Sequence, residues 1–350
     1  MSSDPLVVCI GYPALQEARF VERLRAVDPR VEVITLPVDE GGDWLTMPPD
    51  RPHEEPPPWA AGFAAQRRAA LARAEVLVQL HTPGRLMERA PHLRWLQGMG
   101  AGVDQFAAAG VSRDRVVVTN ASGVSADSIS EFVIARLLQV WKRLPEAEQY
   151  QRQHEYTRTY RRSFAGSVIG IVGLGAIGEA VAQRARALGC TVLATRRSAG
   201  RPGVDAGSAH ELFTTAQLHE MLARCDAVVV SAPATPETHH LIDRAAFEAM
   251  KPATVLVNVA RGSLVDESAI PGALASGQLA AAALDVFEVE PLPVESPLWD
   301  LDNVFISAHS SVSVDRYLDD VFDLFEDNLQ RYVRGEPLRN RVDMQALGFA

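Results

Sequence analysis

Residues 168–178 read VIGIVGLGAIG, and this stretch decides the fold. An apolar run typical of a buried strand leads into glycines at 173, 175 and 178, the spacing GxGxxG. The pattern alone is common, and a coincidental glycine-rich turn is the alternative. Here it directly follows a predicted strand and opens a predicted helix over 176–188, where backbone amides can surround a pyrophosphate. The stretch therefore predicts a dinucleotide site at Gly173, Gly175 and Gly178.

Apolar strand-like runs and helical periodicity alternate along the whole chain. Such alternation predicts an α/β fold in which parallel strands are covered by helices, and both halves look doubly wound. Helices are predicted over 15–27, 125–144, 176–188 and 315–332. The predicted strands are Leu6–Ile10, Val31–Leu36, Val76–Leu80, Val116–Thr119, Val168–Val172, Thr191–Ala194, Ala227–Ser231, Thr254–Val259, Ala280–Val286 and Val304–Ser307.

The predicted helix over 125–144 carries an unusually broad apolar stripe. Ser128 and Glu131 fit a capping box, and Pro145 is expected to end the helix. A stripe this broad indicates burial on more than one side, for instance against a second subunit.

Two polar stretches are predicted to lie on the surface. Residues 47–58, MPPDRPHEEPPP, contain too much proline for a helix or a central strand. They predict a surface loop, with a flap at the mouth of the active site as the alternative. The Arg-rich stretch Tyr156–Arg162 is interpreted as a solvated connector.

Composition and charge exclude several classes of protein. Apolar residues make up 47% of the chain and charged residues 22%, as in an ordinary globular protein. The net charge of −10 does not suit nucleic-acid binding. No membrane span and no secretory signal are visible, so we expect a cytoplasmic protein. The scattered Cys9, Cys190 and Cys225 indicate buried thiols, and no metal site is predicted.

The residues after the predicted strand at 191–194 bear on which dinucleotide binds. An NAD site usually places an acid about 20 residues beyond the glycines, where it binds the ribose hydroxyl. This chain instead has Thr195, Arg196, Arg197 and Ser198. Two guanidinium groups and two hydroxyls suit a 2′-phosphate, so NADP is the expected cofactor, with NAD also open. The alternative is that both arginines face solvent.

Three charged residues follow successive predicted strands. Arg261 follows VLVNVA, Glu290 lies beyond AAALDV, and His309 follows VFISA. Ligands of open parallel sheets bind outside the carboxyl ends of the strands. We therefore expect these three side chains to converge beside the nicotinamide.

At this point the chain resembles a known family, the D-isomer-specific 2-hydroxyacid dehydrogenases. The resemblance covers nearly the whole chain, and its most similar branch is the NADPH-dependent glyoxylate/hydroxypyruvate (2-oxoacid) reductases. The Ser-Ser after His309 and the proline-rich loop depart from the family pattern and leave the substrate preference open. The segments that carry the resemblance are GLGAIG, SAPATPETHHLI, LVNVARGSLVDESAI, AALDVFEVEPLP, NVFISAH, WLQGMGAGVDQF and VTNASGVSADSISEFVIARLL.

The resemblance implies roles for individual residues. Arg261 would bind the substrate carboxylate and polarise the 2-oxo group, and His309 would be the acid of reduction and the base of oxidation. Glu290 would hold that imidazole and keep it protonated. The turn of Met99, Gly100, Ala101 and Gly102 would offer amide groups to the carboxylate. The further implied cofactor contacts are Ala176, Ile177, Ala232, Pro233, Thr238, Val259, Ala260, Asp285, His309 and Ser311.

The resemblance also implies an architecture: a flavodoxin-like substrate domain over 1–122 and 311–350, a Rossmann cofactor domain over 123–310, and a cleft between them. It implies a homodimer. One branch of the family acts as dinucleotide-sensing corepressors and retains the same charged residues, so that reading is the alternative. Formate dehydrogenases pair the histidine with glutamine, whereas this chain has Glu290, so it is not expected to be a formate dehydrogenase. Phosphoglycerate dehydrogenases often carry a further C-terminal domain, which is not expected here.

Overall fold

Two parallel sheets organise the chain. The computed structural model describes residues 4–36, 61–80, 82, 84–112, 114–199, 205–313 and 316–345. The chain divides into a discontinuous unit, Met1–Val124 with Val314–Ala350, and a continuous unit, Ser125–Ser313. The strands are β1 Leu6–Ile10, β2 Val31–Thr35, β3 Val76–Gln79, β4 Trp95–Gly98, β5 Val117–Thr119, β6 Val168–Val172, β7 Thr191–Thr195, β8 Glu211–Phe213, β9 Ala227–Val230, β10 Thr254–Asn258, β11 Leu279–Leu284 and β12 Val304–Ile306. The α-helices are α1 Ala18–Val27, α2 Ala61–Arg73, α3 Leu86–Arg89, α4 Asp104–Ala108, α5 Ala126–Trp141, α6 Leu144–Arg152, α7 Ala176–Ala187, α8 Leu218–Leu222, α9 Arg244–Ala249, α10 Ile270–Ala275 and α11 Tyr317–Arg334.

The discontinuous unit is built on a five-stranded sheet in the order β2-β1-β3-β4-β5, with all pairs parallel. This is the flavodoxin-like order that was predicted. Helix α11 returns to this sheet from the end of the chain, and its Phe322 packs on Phe20 of α1 with ring centroids 4.4 Å apart. The buried face of α11 thus closes the core of this unit.

The continuous unit is built on a seven-stranded parallel sheet in the order β12-β11-β10-β9-β6-β7-β8. The order reverses between β6 and β9, so this is a Rossmann sheet, as predicted. The glycine-rich turn follows β6 and therefore lies at the reversal, where ligands of such sheets bind. The strands β9 and β10 are buried along their whole length, as strands covered on both faces must be.

The helix predicted at 125–144 begins where expected but ends earlier, at Trp141, and its predicted capping box was wrong. Helix α5 begins at Ala126 with no side-chain cap from Ser125, and Glu131 lies 3.6 Å from Arg184 instead of completing a capping box. The chain leaves α5 through Arg143, whose φ of 51° is left-handed. Pro145 then occupies the first turn of α6, where its missing N–H costs no hydrogen bond. The proline thus opens a helix and does not end one.

Other sequence predictions had mixed outcomes. Strands β4 and β8 were not predicted. The three cysteines are buried and free, as expected. The connector is largely exposed, with Tyr156 at 97% and Tyr160 at 93%. The proline-rich stretch 47–58 lies outside the described residues. Among the helices that the structure describes, none has the length and apolar character needed to cross a membrane.

Candidate active site

The glycine-rich turn after β6 is shaped to bring a ligand close to its backbone. Gly173 has a φ of +101°, and a Cβ there would lie 2.5 Å from the Cα of Ala232. A Cβ on Gly178 would lie 2.4 Å from the carbonyl oxygen of Gly173, so only glycine lets α7 approach the turn. At Gly175 a Cβ would meet no atom within 4 Å. This open space lies at the start of α7, beside Ala176, where unpaired helical N–H groups favour an anion, and it fits a pyrophosphate.

The four residues predicted to choose between NAD and NADP lie at the end of β7. Thr195 is buried, and its Oγ1 accepts a hydrogen bond from the N–H of Gly173 at 3.2 Å, so its hydroxyl supports the turn. Arg196 and Arg197 are exposed and Ser198 is half-buried. Glu237 has a pKa lowered by hydrogen bonds from its own N–H and from Thr235, and also by the charge of Arg197. The sequence analysis did not single out this acid.

Glu290 and His309 are joined by a direct hydrogen bond. The Nδ1 of His309 lies 2.9 Å from Oε2 of Glu290, and the other carboxylate oxygen accepts the N–H of Phe287 at 3.0 Å. The imidazole is half exposed, with a side-chain exposure of 51%. One ring nitrogen is thus held by a carboxylate, while the ring remains open to a reacting molecule. This is the arrangement that a general acid–base histidine requires.

The electrostatics of the three charged residues are coupled. The hydrogen bond with Glu290 raises the pKa of His309 and outweighs the effect of burial and the opposing charge of Arg261. Burial raises the pKa of Glu290, but hydrogen bonds from His309 and Phe287, with the charges of His309 and Arg261, lower it below its ordinary value. The structure therefore places Arg261, Glu290 and His309 within electrostatic reach of one another. Their position beside the nicotinamide stays a prediction.

Arg261 lies in a tight turn after β10. Its Nη1 donates to the carbonyl oxygen of Ala260 at 2.8 Å, and its own carbonyl accepts Nδ2 of Asn258 at 2.9 Å. A Cβ on Gly262 would lie 1.8 Å from the carbonyl carbon of Phe287, so this turn packs directly on the loop that leads to Glu290. Val259 and Ala260 are buried beneath it. Sequence reasoning missed Asn258, although a lone amide in an apolar strand was a usable signal.

Two predicted cofactor residues contact each other. Asp285 is buried, and one of its carboxylate oxygens accepts the N–H of Ser311 at 3.2 Å. The predicted pair Pro233 and Thr238 also meet, since Oγ1 of Thr238 donates to the carbonyl oxygen of Pro233 at 2.8 Å. Ile177 is half-buried against the core of the unit.

The turn of Met99–Gly102 belongs to the other unit. Its carbonyl groups are engaged: Met99 by the hydroxyl of Tyr317, Gly100 by the N–H of Ala121 at 2.9 Å, and Ala101 by Asn120 at 2.7 Å. Within the described ranges, no protein acceptor takes the N–H groups of Gly100, Ala101 and Gly102. Successive unpaired amides of this kind suit a carboxylate.

One further group of potential metal ligands lies in the continuous unit. His240, Asp266 and Glu288 place a ligand atom each within 4.8 Å of one another. The imidazole already contacts Glu288 at 2.7 Å, and Asp266 accepts the hydroxyl of Ser268 at 2.6 Å. These contacts explain the cluster as hydrogen bonds between side chains, and the absence of a metal stays a prediction.

The coupled pair gives a pH prediction for Glu290→Gln. The carboxylate favours the imidazolium form, so its loss should lower the pKa of His309. The 2-oxoacid reduction that the resemblance implies needs the protonated ring; therefore the alkaline limb of kcat/KM for reduction should move to lower pH. For oxidation, which needs the neutral ring, the acidic limb should move the same way. Steady-state pH profiles in both directions check this, and profiles that coincide with wild type would contradict it.

The chain is similar in sequence to a known family and to several of its characterised members. The sequence pattern for the NAD-binding domain of D-isomer-specific 2-hydroxyacid dehydrogenases matches residues 134–311. A glyoxylate/hydroxypyruvate reductase of Arabidopsis thaliana is 31% identical over 283 residues, which cover 79% of this chain and 85% of the relative. A D-3-phosphoglycerate dehydrogenase of Methanocaldococcus jannaschii is 31% identical over 74% of this chain, but the match spans only 49% of that relative.

A solved structure is similar over the full length. It is an NADPH-dependent glyoxylate/hydroxypyruvate reductase of Sinorhizobium meliloti, in complex with NADP and sulfate. The TM-score is 0.76 and the identity 26%, with 99% of this chain and 100% of that chain covered.

Proposed function

Because the chain belongs to the D-isomer-specific 2-hydroxyacid dehydrogenase family, we propose that it reduces a small 2-oxoacid to the D-2-hydroxyacid with NADPH. The observation that carries this proposal is the hydrogen bond between His309 and Glu290, in electrostatic reach of Arg261. Of the relatives named above, the two glyoxylate/hydroxypyruvate reductases support a substrate of this size.

The residues divide the work by their chemistry. When bound, the nicotinamide supplies or accepts the hydride. His309, held at Nδ1 by Glu290, gives a proton from Nε2 to the oxygen of the 2-oxo group during reduction and takes it back during oxidation. Arg261 binds the carboxylate and polarises the carbonyl, because its planar donors match two oxygens. In the discontinuous unit, the amides of Gly100–Gly102 are donors suited to a substrate carboxylate.

The preference for NADPH rests on the end of β7. An acid at position 196 would accept hydrogen bonds from the ribose hydroxyls and repel a 2′-phosphate, and Arg196 reverses both effects. Arg197 and Ser198 complete a cationic, hydroxyl-bearing surface beside the glycine turn. The NADP bound to the Sinorhizobium meliloti reductase supports this assignment.

Arg196→Asp should erase or reverse the cofactor preference. A hydrogen bond to a charged group contributes about 1.5–3 kcal/mol, and solvent screening of the exposed Arg196 and Arg197 favours the lower end of this range. Two such bonds correspond to a preference for NADPH of about 10²-fold or more in wild type. The lost preference should appear mainly as a higher KM for NADPH, measured together with KM for NADH. Arg244→Asp, at an exposed position on α9, is the matched change of charge. Equal use of NADH by wild type would refute the NADP assignment and leave the dehydrogenase intact.

The substrate class is tested by turnover. Glyoxylate, hydroxypyruvate, 3-phosphohydroxypyruvate, pyruvate and bulkier 2-oxoacids are each assayed with NADPH and NADH. Turnover of small unphosphorylated acids supports the reductase. Preference for the phosphorylated acid would place the chain with the phosphoglycerate dehydrogenases. Binding of NADPH without turnover of any 2-oxoacid would favour the corepressor-like alternative.

The remaining proposals concern the protein as a whole. We assign the discontinuous unit to the substrate and the continuous unit to the cofactor. A homodimer is supported by α6, which buries none of its residues, and by the exposed Tyr156 and Tyr160 that follow it. Sedimentation velocity distinguishes a dimer from a monomer. A cytoplasmic location stays a prediction.

A further inference from the structure

We infer that two buried polar side chains are positioning residues: Asp285 fixes the position of His309, and Asn258 fixes that of Arg261. This inference rests on the proposed function. The two lie at the carboxyl ends of the neighbouring strands β11 and β10, and each is about 1% exposed. The N–H of Asp285 donates to the carbonyl oxygen of Asn258 at 3.0 Å. The turns that carry Arg261 and His309 are thus anchored on two buried polar residues that are hydrogen-bonded to each other.

Asp285 organises the turn that carries His309. Its Oδ1 accepts the hydroxyl of Ser307 at 2.7 Å and the N–H of Ser310 at 2.9 Å, and its Oδ2 accepts the N–H of Ser311 at 3.2 Å. Its carbonyl oxygen accepts the N–H of His309 at 2.8 Å. The chain from Ser307 to Ser311 therefore wraps around one buried carboxylate, with His309 at the exposed tip.

The conformation of His309 explains why such a support is needed. The residue has a φ of 48°, in the left-handed region that non-glycine residues rarely adopt. A conformation of this kind persists only where surrounding contacts hold it. The contacts of Asp285 fix the residues on both sides of the histidine. The imidazole is thereby directed at Glu290.

Asn258 holds the turn that carries Arg261, as Asp285 holds the turn that carries His309. Its Oδ1 accepts the N–H of Ala260 at 3.1 Å, and its Nδ2 donates to the carbonyl oxygen of Arg261 at 2.9 Å. One amide thus closes the turn from both sides, which requires a donor and an acceptor on the same side chain. Asparagine supplies both, whereas aspartate and alanine do not.

The test of Asp285 is Asp285→Asn in the full-length, cofactor-free protein. The exchange keeps the shape but turns one acceptor into a donor that faces a backbone N–H. We expect a displaced 307–311 turn and loss of the His309–Glu290 hydrogen bond in a crystal structure. The pKa of His309, measured by NMR on the cofactor-free protein, should fall, and kcat, measured with added NADPH and glyoxylate, should fall about 10²-fold, the scale of a misplaced catalytic group. Arg261, Glu290 and Asp285 are the charged groups that act on this ring.

The outcomes separate positioning from other roles of Asp285. If the pKa falls while the turn and the hydrogen bond stay, Asp285 acts only by its charge and the inference fails. If neither changes and only KM for NADPH rises, Asp285 serves the cofactor alone and the inference also fails. Ser307→Ala keeps the carboxylate and loses one of its hydrogen bonds; it should shift the turn in the same direction by less, and it tests the idea if Asp285→Asn does not fold. Asp226→Asn, which removes a half-buried carboxylate that accepts the N–H of Val168 elsewhere in the unit, should leave the pKa of His309 unchanged.

The test of Asn258 predicts a shift in the pKa of His309 that is opposite to the one expected for Asp285→Asn. Asn258→Ala should release Arg261, raise KM for glyoxylate about 10-fold or more, and raise the pKa of His309, because the opposing charge of Arg261 moves away. Unchanged KM and pKa in a folded variant would overturn the role of Asn258. The cofactor-free structures and titrations remain interpretable if no 2-oxoacid is turned over, so failure of the proposed function is distinguishable from failure of this inference.

Discussion

His309→Asn is expected to lower kcat for 2-oxoacid reduction by about 10²–10⁴-fold, the usual contribution of a general acid. Asparagine can keep a hydrogen bond to Glu290, but it has no proton to give at neutral pH. The barrier should therefore rise by about 3–5 kcal/mol. The affinity for NADPH, followed by its fluorescence, should change little because the glycine turn is untouched.

His219→Asn provides the matched control, since His219 is exposed on α8. It should retain full activity. The pH profile gives a second readout: the limb that the coupled His309–Glu290 pair produces should vanish in His309→Asn. Near-normal kcat in a folded variant would rule out His309 as the acid and would leave the reaction without an assigned proton donor.

The fold was predictable from sequence wherever the signals are local. The strand VIGIV and the glycines that follow it determine one turn within eleven residues, and β6 was predicted with its observed bounds. Strand β4 was not predicted, because Gln97 interrupts its apolar pattern. In the structure Gln97 is fully buried, and its amide oxygen accepts the hydroxyl of Thr119 at 2.7 Å. That partner lies on β5, so only the folded sheet reveals why a polar residue stands there.

In the candidate site too, the features with local sequence signals were predictable and those that depend on distant contacts were not. The placement of Arg261, Glu290 and His309 after successive strands follows from the strand pattern, and in the structure the three charged groups act on one another. The bond between Glu290 and His309 depends on two loops whose course no periodicity encodes. Asn258 was missed for a related reason, since its contacts are to backbone atoms of Ala260 and Arg261. The lone amide in an apolar strand marks Asn258 as unusual, but contacts to backbone atoms do not show from the sequence which turn it holds.

Arg261→Lys should reduce kcat/KM for the 2-oxoacid sharply while the positive charge is retained. Arginine presents several N–H donors in one plane, matched to a carboxylate and the neighbouring carbonyl, whereas lysine offers a single ammonium group on a flexible chain. The lost transition-state contact should cost about 2–4 kcal/mol, by analogy with the removal of one oxyanion donor. This corresponds to about 30- to 1,000-fold in kcat/KM.

The charge that Arg261 exerts on its neighbours makes the interpretation specific. Because lysine keeps a positive charge near Glu290 and His309, the pH limb of reduction should stay close to its wild-type position while kcat/KM falls. Arg224→Lys, at an exposed arginine paired with Glu211 at 2.7 Å, controls for the exchange itself. If Arg261→Lys works nearly as well as wild type, charge alone suffices at this position. The planar geometry would then have no part in recognition of the substrate, and the turn held by Asn258 would have no catalytic reason to be rigid.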